Sequence, residues 1–192
     1  MSKKTSLSKI KALLSPSLEE TLDPQALIAL IPINTDHIIA DIGCGPGLLT
    51  IPLAKYLYRG RVYAVDVEKE MHNYVMQSAT ISHLNNIKTI LSKETEVPIS
   101  KKTLDGVVLC DVLNEAKRPK ILIQEAARLL KTSGWVSVVD WLPTDTKARI
   151  GPPKSRRIPQ KKIVQYGESS GLQPITNRMI GDERYIVLFK KK

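Results

Sequence analysis

The chain has 192 residues, 42% hydrophobic and 25% charged, enough for one domain with a sizeable core but not for a second beside an open α/β sheet. Its net charge of +10 is uneven: residues 1–11 hold four basic and no acidic side chains, residues 147–162 hold seven basic and none acidic, and 190–192 is Lys-Lys-Lys, while the remainder has 15 basic against 19 acidic residues. Apolar stretches such as 26–33 are far too short to span a bilayer, 10–14 is too short and charged for a signal-peptide core, and Cys44 and Cys110 make neither a metal spacing nor a disulfide framework, so no membrane span, no metal and a reduced, cytoplasmic protein are expected.

Residues 1–22 read as an N-terminal extension, basic at its start, ahead of one domain over 23–192. Asp23-Pro24, followed by Gln-Ala-Leu-Ile-Ala-Leu30, predicts an N-capped helix with proline in its first position. The apolar run His37-Ile-Ile-Ala40 predicts a strand near 37–43, which enters Asp41-Ile-Gly-Cys-Gly-Pro-Gly47 and then a helix-like pattern over 47–58. A strand running through a glycine-rich turn into a helix brings backbone N–H groups close to a ligand, because glycine has no Cβ to obstruct the approach. The third glycine comes one residue too early for the dinucleotide pattern G-x-G-x-x-G.

Residues 61–67 are mostly apolar, as befits a strand buried on both faces, and the run reaches Asp66, nineteen residues after Gly47. An acid there accepts charge-assisted bonds from ribose hydroxyls in nucleotide-binding α/β folds. Its other reading is a cap for the helix expected over 68–84. Further strands are expected near 87–92, 105–111 and 135–141. In the helix expected over 118–131, Leu122, Ala126, Leu129 and Leu130 share one face, and Gly134 follows as a helix-ending glycine. Pro159 opens a last helix that ends near Gly171. The tail reads as strands over 175–180 and 183–188 joined through Gly181-Asp182. Alternating strands and helices imply a parallel sheet with right-handed crossovers.

The segment Asp41 to Gly47, with Asp66 downstream, resembles the first two motifs of class I S-adenosylmethionine (SAM) dependent methyltransferases. Glu96-Val-Pro98 with Thr103-Leu-Asp105, Leu109-Cys-Asp-Val-Leu-Asn114 and Ala127-Arg-Leu-Leu-Lys-Thr-Ser-Gly-Trp135 resemble passages of the ubiquinone/menaquinone-biosynthesis (methyltransferase domain 11) type. Gly151-Pro-Pro153, Arg157-Ile-Pro159 and Ser170-Gly-Leu172 resemble a small prokaryotic subgroup of it. The resemblance runs from about residue 22 to the C-terminus. It implies a three-layer, Rossmann-like α/β fold whose seven-stranded, mostly parallel sheet has an antiparallel last strand.

The resemblance also implies SAM as cofactor. The backbone of Gly43, Cys44, Gly45 and Gly47 would wrap its methionine part, with Asp41 orienting the amino group. Asp66 would hold the ribose, Val67 and Met71 would pack beside the adenine, and the backbone of Cys110 and Asp111 would complete the pocket. The acid that such proteins offer to the adenine amino group aligns with Lys93 and Glu94, so it is displaced by one position or replaced by backbone contacts. The Asp111 side chain has a second reading as a cap or as partner of a nearby basic residue.

Methyl transfer from a sulfonium is an in-line displacement served by positioning, and a general base is needed only when the acceptor's proton must leave early. No catalytic residue is therefore singled out. Candidates on the acceptor side stand at the ends of the fourth and fifth strands: Asn114, Asp140 and Trp141, beside Asp111. His37, His72 and His83 read as structural or exposed. The chain lacks the G-x-S-x-G elbow and the P-loop pattern, has no [DN]-P-P-[YFW] motif, and carries leucine before Cys110. These absences set aside serine hydrolases, P-loop enzymes, DNA amino-group methylation and RNA cytosine-C5 methylation. The expected partner is a small-molecule acceptor. The alternatives are RNA, held by the basic 147–162 segment although it lacks interleaved aromatics, and a SAM-binding partner protein without turnover.

Overall fold

The computed structural model describes residues 22–144 and 151–192. The N-terminal extension up to residue 21 and residues 147–150 of the basic segment lie outside the described residues. Asp23 caps the first helix, α1 (Pro24–Leu30), its Oδ1 accepting from the N–H groups of Gln25 and Ala26 at 2.9 and 3.2 Å. There follow β1 (Ile38–Ile42), α2 (Thr50–Tyr56), β2 (Arg61–Asp66), α3 (Lys69–Ile81), β3 (Ile87–Leu91), β4 (Leu104–Cys110), α4 (Pro119–Leu129) and β5 (Leu130–Trp141). A 3-10 turn (Lys154–Arg156), α5 (Gln160–Ser169), β6 (Leu172–Ile180) and β7 (Arg184–Lys191) complete the described chain.

The seven strands form one sheet in the order β3-β2-β1-β4-β5-β7-β6. The first five are parallel, and β7 runs antiparallel to both of its neighbours. The sheet is covered on both faces, which is why its central strands are apolar without alternation. On one face Ile39, Val62, Val108 and Ile186 pack with Leu27 and Ile28 of α1 and Leu53 of α2, and Val75 of α3 packs on Ala64. On the other face Ala40, Val107, Val138 and Val187 pack with Leu122, Ile123 and Ala126 of α4 and Ile163 of α5. The three-layer arrangement implied by the resemblance is the one found. Among the described residues no helix is long and apolar enough to cross a membrane.

Several boundaries differ from the sequence reading: α2 starts at Thr50, three residues late, β7 runs to Lys191, three residues further, and two others have a clear physical cause. The fourth helix stops at Leu129, and Leu130 already pairs with Leu104 as the first residue of β5. Residues 131–134 then bulge out before Trp135 pairs with Gly106, and Ser133, not Gly134, takes the left-handed turn with φ 65°. Lys131 stabilises the bulge by reaching Asp105 Oδ1 at 2.7 Å, a contact that periodicity does not announce. At the far edge β6 begins three residues early, at Leu172, and places Pro174 at an irregularity in its pairing with β7. Proline is tolerated there because β6 is an edge strand. Gly181, φ 55°, turns the closing hairpin where the sequence places it.

Helix α5 approaches the sheet closely because Gly167 faces Phe189: a Cβ at that position would overlap the aromatic ring. Alanine normally favours a helix over glycine by about 1 kcal/mol. Here the collision reverses the sign, and Gly167→Ala is expected to destabilise the fold by about 1–3 kcal/mol in urea unfolding. A stabilised variant would show that α5 is not seated on Phe189.

Candidate functional site

The glycine turn leaves β1 in a conformation that side chains rarely adopt: Gly43, Gly45 and Gly47 have φ of 75°, 51° and 100°. Gly43 and Cys44 donate their N–H groups to the Val65 carbonyl at 2.8 and 3.1 Å, which ties the turn across to β2. Asp66, one residue further along β2, completes the tie. Its Oδ2 accepts from Gly45 N at 2.9 Å and its Oδ1 from Glu68 N at 2.9 Å. Asp66 thus binds the backbone just ahead of the following helix, whose N-cap is Glu68, and also faces the glycine turn. Each carboxylate oxygen retains a further lone pair for a ligand hydroxyl.

Behind the turn lies Asp41, 2% exposed, with Oδ2 accepting from the Thr50 hydroxyl at 2.6 Å. Burial pushes its carboxyl up to about 6, against the pull of the Thr50 bond and with a smaller push from Asp66. A cation arriving beside it would favour the ionised form.

These elements border a pocket of about 280 Å³ at the carboxyl ends of β1, β2 and β4. Among the sequence-predicted residues, Asp41, Gly43, Cys44, Gly45, Asp66, Val67, Met71, Glu94, Cys110 and Asp111 line it. Gly47 does not; it lies under α3, where a Cβ would press on Val75. Lys93 also lies outside the lining, its side chain 81% exposed and paired with Glu96 at 2.8 Å. Its neighbour Glu94 reaches the lining and accepts from Arg118 N at 3.0 Å. Of the two aligned residues, only Glu94 lines the pocket.

The acceptor-side candidates Asn114, Asp140 and Trp141 are not part of the lining either. Asp140 is wholly buried and accepts from Asn114 N, Asn114 Nδ2 and Trp141 N at 3.1, 2.8 and 2.7 Å. It serves as an internal brace between the end of β5 and the loop after β4. Burial pushes its carboxyl up to about 6. Trp141, 2% exposed, has two arginines at its ring, the guanidinium carbons of Arg184 and Arg157 standing 3.7 and 5.3 Å from its centroid. Asp111 adopts φ 53° and takes a forked ion pair from Arg184, Nη2 to Oδ2 being 2.9 Å. Its side chain follows the second reading, as partner of a basic residue, and burial outweighs the arginine to leave its carboxyl above the usual range.

Sequence reasoning missed Thr50, Arg184, Val112, Ser92 and Glu115. Thr50 acts through Asp41, nine residues back, and Arg184 through Asp111, 73 residues back, while Ser92, Val112 and Glu115 line the pocket from the loops after β3 and β4. The lining contains six carboxylates, Asp41, Asp66, Glu68, Glu94, Asp111 and Glu115, and no Lys, Arg or His among the described residues. In a chain of net charge +10 this is a local inversion of sign that suits a cationic ligand. Burial drives the thiols of Cys44 and Cys110 well above their ordinary value, so neither supplies a thiolate nucleophile. His37, His72 and His83 lie off the lining, and no cluster of metal-ligating side chains occurs among the described residues.

A family model described as a methyltransferase domain matches residues 40–138, just over half of the chain. The solved structure of a SAM dependent methyltransferase from Aquifex aeolicus superposes with a TM-score of 0.89 at 25% identity, covering 96% of this chain and 98% of that one. The tRNA(Phe) (4-demethylwyosine(37)-C(7)) aminocarboxypropyltransferase of Methanocaldococcus jannaschii is 32% identical over 76 residues, 40% of this chain and 30% of that protein. The ubiquinone biosynthesis O-methyltransferase of Hydrogenovibrio crunogenus is 29% identical over 105 residues, 51% of this chain and 40% of that protein. The match thus spans well under half the length of these two relatives.

The buried Asp41 makes stability depend on pH in a stated direction. Between an ordinary carboxyl value of 3.8 and about 6, the folded chain keeps a proton that the unfolded chain has released. This group's contribution therefore falls as pH rises through that window, by on the order of 3 kcal/mol. Asp41→Asn lacks the titration, so its unfolding free energy relative to wild type is expected to rise between pH 4 and 7. Urea titrations of the unliganded proteins at both pH values measure the difference, and a pH-independent gap would contradict the assignment.

Proposed function

The chain belongs to the methyltransferase domain family, whose cofactor is SAM, and from that premise we propose that it transfers a methyl group to a small-molecule acceptor by in-line displacement. The observation that carries the proposal is the Gly45–Asp66 tie beside an open pocket lined by carboxylates and by no basic side chain among the described residues. Bound SAM supplies a methyl group on a positively charged sulfur with a good leaving group. The chain's own contribution is positional. Gly43 and Gly45 admit the ligand against backbone, Asp66 presents two oxygens to hydroxyls, and Asp41 stands ready to face an ammonium. Val67, Met71 and the Cys110–Val112 wall border the remainder. With neither a histidine nor a reactive thiol in the lining, the rate comes from orientation and from the acidic field around a cation.

The acceptor is neutral or cationic on this reading, because an anion would meet a lining rich in carboxylates and without a basic side chain among the described residues. Finer placement within the ubiquinone/menaquinone-biosynthesis type rests on the sequence passages over 96–135 and on the Hydrogenovibrio relative. An RNA acceptor ranks second. It is favoured by the exposed Lys154, Arg156, Lys161 and Lys162 and by the tRNA named for the Methanocaldococcus relative. A SAM-binding partner protein without turnover ranks third. The free thiols Cys44 and Cys110 suit a cytoplasmic setting.

Calorimetric titration with SAM is expected to give saturable binding, weakened about tenfold to a hundredfold by Asp66→Ala, the range for losing charge-assisted hydrogen bonds. Labelled methyl from SAM is then expected in a small-molecule metabolite pool and not in RNA. No SAM binding by folded protein would remove the proposal; label in RNA would promote the second reading, and binding without any methylated product the third.

A further inference from the structure

We propose that Arg184 is a positioning residue for the pocket: it fixes Asp111 in the left-handed conformation and so seats Val112 against the glycine turn. The inference rests on the SAM-binding reading of that pocket. Arg184 opens β7 and is only 1% exposed, although it is a full cation. Its Nε donates to both carboxylate oxygens of Asp111 at 3.2 and 3.1 Å, its Nη2 donates to Oδ2 at 2.9 Å, and its planar group stacks 3.7 Å from the Trp141 centroid. The planar fork of arginine suits both demands at once, whereas lysine would offer a point charge and no stacking plane.

What this clamp holds is unusual backbone. Asp111 follows the last residue of β4 with φ 53°, a conformation that costs an L-residue free energy unless something supports it. Its N–H donates to Val139 O at 2.9 Å, and its carboxylate is drawn toward β7 by Arg184, so the residue is fixed from two strands. After the turn it makes, Val112, Glu115 and Ala116 join the pocket lining, and Val112 accepts at its carbonyl from the N–H groups of Glu115 and Ala116, each at 3.1 Å. The Val112 side chain occupies the space into which a Cβ on Gly43 would project. A continuous path of contacts thus runs from β7 through Asp111 and Val112 to Gly43. Arg184 itself is absent from the lining, so it acts on the ligand only through this path.

Three proteins test the path: Arg184→Met, the same change with Asp111→Gly, and the same change with Asp111→Ala. Each is titrated with SAM, and in each the backbone NMR shifts of residues 111 and 112 are read without ligand. Arg184→Met is expected to weaken SAM binding about tenfold and to move residue 111 out of the left-handed region. Glycine at 111 is expected to recover most of the affinity and alanine little. Both remove the orphaned carboxylate, but only glycine adopts a positive φ without a Cβ. Equal recovery by alanine would overturn the backbone mechanism, as would unchanged shifts and affinity in Arg184→Met. Should Arg184→Met not fold, Arg184→Lys takes its place in all three proteins with the same expected order. If wild type fails to bind SAM while the shifts respond as described, the positioning role stands and the methyltransferase reading falls.

Discussion

After β1 the chain crosses to β2 on one side, and after β3 it returns past β1 to β4 on the other, so the crossovers part between β1 and β4. A parallel sheet built this way leaves a crevice at the carboxyl ends of the two strands, because the flanking connections lead away from it in opposite directions. The pocket lies there. Asp105 secures the junction from below, its Oδ2 accepting from Ile38 N at 2.8 Å and its Oδ1 from Lys131. The upper ends are secured by the glycine turn reaching Val65 and Asp66. With both ends of β1 fastened to neighbours, the crevice has a defined width before any ligand enters it.

The parts of this arrangement that depend on short-range pattern were legible in the sequence. Asp23 caps α1, the glycine turn follows β1, Asp66 ends β2, and Gly181 turns the hairpin, each because local backbone demands a particular residue type. The proposed cofactor side of the pocket is built from these same turns, and most of the residues expected there line it. Sequence spacing fails where a side chain answers to a partner far along the chain. Asp140 and Trp141 stand at the carboxyl end of β5, where acceptor residues are expected, yet Asn114 and Arg184 claim them for the interior. The end of α4 was misplaced for the same reason. Pairing of Leu130 with Leu104 overrides a helical pattern that reads smoothly to residue 131.

Charge follows a similar division. Basic residues gather in the segments toward the two ends and after β5, whereas the pocket is lined with carboxylates. A net charge taken over the whole chain would suggest an anionic ligand, and the local field around the pocket suggests the opposite. Local geometry prevails because fields of exposed charges fade within roughly 10 Å at ordinary ionic strength, while partly buried groups are screened far less. The described part of the basic segment after β5 is anchored by Arg157, which donates to Pro152 O and Leu142 O at 2.9 and 3.1 Å.

Strand β7 lies between β5 and β6, although it follows both in the chain. A polypeptide emerging from the ribosome N-terminus first has every other strand available before this one. Until β7 inserts, β5 has an open edge and β6 has nothing to pair with. Pairing of β7 with β6 is a local hairpin, whereas its pairing with β5 is non-local and correspondingly slow to form. Arg184 belongs to that strand, so its fork on Asp111 beside the pocket closes only once β7 is in place, which ties completion of the sheet to completion of the pocket wall.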